Sequence, residues 1–162
     1  MQVSPSSEPD TSRVEALQLF ERVFVVVDFS AASRRAVATA LELRRSFGSR
    51  VCLFHLAELD GSDEFLAGLG SPAVASDLVE EATGRLQRYI RNIAPNHADE
   101  VELRSRRSVS PIDDMHREAM SWRATLVIAA TESHATLLRS PAEKLVHDFD
   151  IPVLVIPSAV AH

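Results

Sequence analysis

Apolar residues fall along this chain in two rhythms, continuous β-branched runs and helical stripes, which alternate from about residue 20 to the end. The run RVFVVVD (22–28) has no polar alternation, the mark of a strand covered on both faces. It leads into SAASRRAVATALELRRSFG (30–48), where Ala36, Val37, Ala40, Leu41, Leu43 and Phe47 recur at helical spacing. Ser30 supplies an N-cap oxygen, and Gly48 closes that helix in the left-handed conformation. RVCLFHLAE (50–58) predicts a second strand. After the connection DGSDEFLAGLGSP (60–72), the spacing predicts a long helix over 73–93, weakened in its interior by Gly84. A third strand is expected over 100–106, where polar and apolar residues alternate. SPIDDMHREAMSW (110–122) predicts a helix with Ser110 as N-cap, Pro111 at its first position and Asp113 in its first turn. TLVIAA (125–130) is the fourth strand, SPAEKLVHDF (140–149) the fourth helix, and IPVLVIPS (151–158), bounded by Pro152 and Pro157, the fifth strand.

Strands that alternate with helices need crossover connections, so the sheet is expected to be parallel. The predicted fold is α/β: a single-domain, doubly wound, five-stranded parallel sheet with helices on both faces. Its expected extent is 20–160. Residues 1–19 form a tail, rich in Ser, Pro and acid up to Thr11 and expected to be disordered there, with a short helical turn over 13–20. No internal repeat appears at a period of roughly 20–50 residues.

Composition narrows the function classes. A chain of 162 residues suits one domain. Its formal net charge of -6 argues against a general affinity for nucleic acid or anionic membrane. Arg104, Arg106 and Arg107 are a local exception, too few to reverse the total. No apolar run approaches the roughly 18–20 residues of a membrane span, and the N-terminus lacks a basic start with an apolar core. The single cysteine, Cys52, excludes an intrachain disulfide. A cytoplasmic location is therefore expected.

In such a sheet, ligands sit beyond the carboxyl ends of the strands, where the strand order reverses. The informative residues are then Asp28, Phe29 and Ser30 after the first strand, His55 and Leu56 after the second, and Ala130 with loop 131–139 after the fourth. Asp28 has two readings: it orients a ligand hydroxyl or amino group, or it forms a turn ahead of the helix at Ser30. His55, within a strand, is read as a satisfied structural histidine. Cys52 is read as an inert core thiol. The six histidines show no metal-ligand spacing. Ser133 and His134 are adjacent in a loop, which does not present a hydroxyl to an imidazole in line, and no G-x-S-x-G elbow occurs. Ser140-Pro141-Ala142-Glu143 reads as a capping box. Its competing reading is an anion site at a helix N-terminus, for which the cap side chains use the same N–H donors.

Together, VVVDFS with SRRAVATALEL, FHL, SPIDDMHREA before TLVIAA and, most specifically, SPAEKLVHDFDIPVLVIPS give the chain after its tail a sequence that resembles the universal stress protein superfamily. The resemblance implies a five-stranded parallel sheet. It also implies, for many members, ATP held by a loop of form G-x-x-G, nine residues, then G-[S/T], with an Asp after the first strand. Asp28 matches that acid, and Leu56 the residue whose backbone meets the adenine. Ala130 and Ser133 fall on the first two glycines, Arg139 on the third, and Ser140 on the hydroxyl residue. The loop is also about four residues short, and a phosphate cradle needs backbone N–H groups unobstructed by Cβ atoms. The chain thus resembles a branch with a degenerate ATP-binding loop: not an enzyme, without a cofactor, and acting in stress adaptation through protein contacts. Arg139 at a helix mouth suggests an acidic neighbour, Asp28 or Glu132. The resemblance further implies a homodimer through Val153, Leu154, Val155 and Ile156 of the last strand, together with a protein partner whose identity the sequence does not give. The alternative is an adenine-nucleotide-binding switch, with ATP on a modified loop and Arg139 holding an anion. A hydrolase or phosphotransferase would need a nucleophile with a base, which the sequence does not offer.

Overall fold

The β-branched run near the N-terminus forms the middle of the sheet, where both faces are covered. The computed structural model describes residues 18–57, 72–107, 110–131 and 147–157. In chain order the elements are β1 (Arg22–Val26), α1 (Ala31–Phe47), β2 (Arg50–Ala57), α2 (Pro72–Ile93), a 3₁₀ turn (Pro95–His97), β3 (Glu102–Arg107), α3 (Pro111–Ser121), β4 (Leu126–Thr131) and β5 (Val153–Pro157). The strand order is β3-β2-β1-β4-β5, and every pairing is parallel. The sheet therefore grows outward from β1 in both directions, and its order reverses between β1 and β4.

One face packs under α1 and α2. Val23, Val25 and Val27 of the β1 segment meet Ala36, Val37 and Ala40 of α1 and Leu86 and Ile90 of α2. The other face packs under α3 and the chain before β5, where Phe24, Cys52, Phe54, Val127 and Ala129 meet Met115, Ala119, Trp122, Phe149 and Ile151. The two clusters take alternate residues of each strand, as a sheet covered on both faces requires. Cys52 is fully buried, and that burial pushes its thiol well above the usual range, in keeping with an inert core group.

The first helix is capped as its sequence predicts. Ser33 donates its N–H to the Ser30 hydroxyl at 3.0 Å, and Gly48 closes the helix at φ 71° with its N–H on the Arg44 carbonyl. Other local expectations need correction. Phe47 lies outside the core, 44% exposed, with its ring stacked on Phe20 at 4.9 Å. Ser110 stands at the N-cap position of α3, but its hydroxyl donates to the Asp113 carboxylate at 2.5 Å and accepts no helix N–H. Strand β3 starts and ends later than expected, at Glu102 and Arg107. Strand β1 stops at Val26, short of Asp28. Gly84 does not interrupt α2. The predicted fourth helix, the tail before Gln18 and the 60–72 connection lie, wholly or for the most part, outside the described residues.

Candidate functional site

The switch point between β1 and β4 brings Asp28, Leu56 and Ala130 to one end of the sheet. Leu56 lies near the end of β2, opposite Arg106 of β3, and Ala130 near the end of β4, opposite Ile156 of β5. Asp28 follows β1, which lies between those two strands. The carboxylate of Asp28 is exposed and accepts the Ser30 N–H at 2.9 Å, while its own N–H donates to the buried Ser33 hydroxyl at 3.3 Å. This is the turn-forming role: the carboxylate fixes the bend that starts α1. Its second oxygen has no hydrogen bond to a described residue. Ser133, Arg139 and Ser140, and the suggested Arg139 pairing with Asp28 or Glu132, lie outside the described residues.

The strand end is shaped by His55 and Phe29, which the strand-end rule picks out, together with Tyr89 and Arg85, which it does not. His55 donates its Nδ1–H to the Val27 carbonyl at 2.7 Å, just past the end of β1, while the Val27 N–H donates to the Phe54 carbonyl at 2.8 Å. The chain then turns through Phe29 at φ 64°, a left-handed conformation that an aromatic residue rarely adopts. Packing holds it there. The Phe29 ring lies 4.4 Å from His55, meets Tyr89 of α2 edge-on at 5.2 Å, and is covered by the Arg85 guanidinium at 4.2 Å. Burial holds the Tyr89 phenol above its ordinary range, against contacts with Ser33 and Arg34 that lower it. His55 is thus a structural histidine with a defined task. Sequence offers one faint signal for this cluster, an aromatic residue wedged between the Asp and the N-cap Ser.

The two open edges of the sheet differ in chemistry. On β3, Arg104 pairs with Glu102 at 2.8 Å and Glu118 at 3.4 Å, and Arg106 with Glu118 at 2.7 Å and Asp114 at 3.7 Å. The Trp122 indole donates to Glu102 at 2.8 Å. Arg104 and Arg106 are therefore neutralised locally and do not form a basic patch. On β5, Val153, Val155 and Ile156 are half-buried and Leu154 is 38% exposed. Among the described residues no three His, Cys, Asp or Glu side chains gather as a metal site. No helix among them is long and apolar enough to cross a membrane.

A five-stranded parallel sheet in this order, with an Asp at its switch point, defines a class of α/β proteins whose sites lie beyond the strand ends. The chain belongs to the universal stress protein family, whose model matches residues 19–157. Among solved structures it is similar to a hypothetical protein, PH0823, at 25% identity over 88% of this chain and 99% of that one, with a TM-score of 0.64. A universal stress protein solved in complex with cAMP is similar at 18% identity, over 87% and 99% of the two chains, with a TM-score of 0.64. A universal stress protein from Archaeoglobus fulgidus, in complex with dAMP, is similar at 20% identity, over 85% and 98%, with a TM-score of 0.51. No curated protein matches the chain.

Proposed function

We propose that this universal stress protein is a non-enzymatic homodimer that acts through protein contacts in stress adaptation and does not hold ATP in the manner of its family. The observation that carries the dimer is the contrast between the two edges. An apolar edge strand with free backbone groups is a template for another strand, and charge is the usual guard against such pairing. Strand β3 has that guard in Arg104, Arg106 and their acidic partners, whereas β5 presents Leu154 and three valine or isoleucine neighbours.

Against ATP stand the replaced glycines. In sequence, Ala130, Ser133 and Arg139 stand at the positions of the family loop's three glycines, which a phosphate cradle needs free of Cβ atoms. Asp28, the remaining family acid, already accepts the Ser30 N–H. Calorimetric titration with ATP and Mg²⁺ is expected to give no binding tighter than about millimolar, roughly -4 kcal/mol.

An adenine-nucleotide switch is the second reading. It is favoured by the convergence of Asp28, Leu56 and Ala130 and by the cAMP and dAMP complexes of two similar proteins. A micromolar dissociation constant that weakens in an Asp28→Ala variant would replace the first reading with this one.

A further inference from the structure

Helix α2 carries its surface charges in a segregated order. It packs over β2 and β3, with Ala82, Leu86 and Ile90 turned into the core. At about 100° per residue, Gly84 stands on the opposite face, at the middle of a stripe formed by Asp77, Glu80, Glu81, Gln87, Arg88 and Arg91. All of these flanking residues are exposed. The acids precede Gly84 and the arginines follow it, so neighbours one turn apart are alike in charge: Asp77 with Glu80 and Glu81, and Arg88 with Arg91. Arg85, one turn after Glu81, is turned to the Phe29 ring. Among the described residues, none of these stripe charges has an ion-pair partner. The helix dipole accounts for little of the order, because only Arg91 lies in a terminal turn. Nor does the fold require the glycine. An interior glycine weakens a helix, and among the described residues a Cβ at Gly84 would meet only Arg88 Nη1, at an ordinary 3.6 Å. What a missing Cβ permits on an outward face is the close approach of another backbone.

We infer that the outer face of α2 docks on itself: two copies of the chain pack α2 antiparallel about a two-fold axis at Gly84. Positions equally far from the axis then oppose one another. Asp77 of each copy meets Arg91 of the other, and Glu80 of each meets Arg88 of the other. A parallel pairing would set acid against acid and arginine against arginine. Asp77, Gly84 and Arg91 recur at the seven-residue step that keeps two packed helices in contact along their length. With helix axes about 8–10 Å apart and Cα atoms about 2.3 Å from each axis, the Gly84 Cα atoms stand roughly 3.5–5.5 Å apart. The ion pairs are exposed, so the contact is weak, sensitive to salt and transient in dilute solution. It goes beyond the β5 dimer proposed above and does not depend on it. Helix α2 covers β2 and β3, on the other side of β1 from β5, so both contacts can form at once and link dimers into larger assemblies.

Disulfide trapping in the full chain tests the contact, with products sized under denaturing, non-reducing conditions so that pairing through β5 does not register. Gly84→Cys is oxidised with copper phenanthroline beside Ser121→Cys, an exposed position on α3 that reports random collision. The native Cys52 is buried and common to both. Gly84→Cys is expected to form the covalent dimer about tenfold faster and to lose that advantage near 1 M salt, where the screening length is about 3 Å. Added to Gly84→Cys, Glu80→Arg sets like charges across the axis and is expected to bring the rate down toward the collision level. Combining Glu80→Arg with Arg88→Glu makes the charges opposite again and is expected to restore the rate. Equal rates for Gly84→Cys and Ser121→Cys would overturn the α2 contact and leave the β5 dimer untouched. A fast rate that Glu80→Arg leaves unchanged, or a slow one that the double exchange does not restore, would overturn the antiparallel charge pairing.

Discussion

Phe29 concentrates the local physics of the site in one residue. Its φ of 64° costs on the order of 1–2 kcal/mol for a residue with a Cβ, and the contacts with His55, Tyr89 and Arg85 offset that cost. Two substitutions separate strain from packing. Phe29→Ala removes the ring and keeps the strain, whereas Phe29→Gly removes both. Both variants are expected to be less stable than the parent in urea unfolding, with the Gly variant the more stable of the two by about 1 kcal/mol. An Ala variant more stable than the Gly variant would show that the left-handed turn is not strained.

At the scale of elements, β3 and α3 are joined by polar contacts as much as by apolar ones. Trp122 is buried, donates to Glu102, and carries the Arg22 guanidinium 4.2 Å from its ring centroid. Trp122→Phe keeps most of the buried surface and loses the donor, so it is expected to cost about 1–2 kcal/mol in chemical denaturation. Burial pushes the Glu102 carboxyl upward, but the indole N–H and Arg104 outweigh it and hold the group below the usual carboxylate range. A depressed carboxylate contributes stability above its unfolded value and loses it as pH falls through the folded one. The stability gap between the parent and Glu102→Gln is therefore expected to be full at neutral pH and to shrink as pH falls below about 4.5. A gap independent of pH would contradict it.

The strands with covered faces were legible because their runs are continuous, and α1 because its cap and closing glycine are local signals. Strand β3 was less so, since its apolar alternation stops at Leu103 and its second half carries arginines in half-buried ion pairs with Glu118. The hydrogen bond on the Val27 carbonyl just past β1 comes from His55, a residue of another strand, and so leaves no trace in the sequence of β1. The positions of Asp28, Leu56 and Ala130 follow from the rule for parallel sheets. Tyr89 and Arg85 reach the same end only through the packing of α2, which sequence spacing does not reveal.

At the scale of the whole molecule, the account depends on the asymmetry of the sheet's edges. Deleting residues before Thr11, whose composition lacks apolar content, is expected to change Tm little, and a fall of more than a few degrees would show that they dock. Placing a lysine on the open edge should have the opposite weight. Val155→Lys sets a charge where a second β5 would pack, in the way natural edge strands block pairing. The most direct test is sedimentation equilibrium of the full chain beside Val155→Lys. The account predicts twice the 17.8 kDa chain mass for the parent and a single chain for the variant. A parent that sediments as one chain, or a folded variant that keeps the doubled mass, would contradict it.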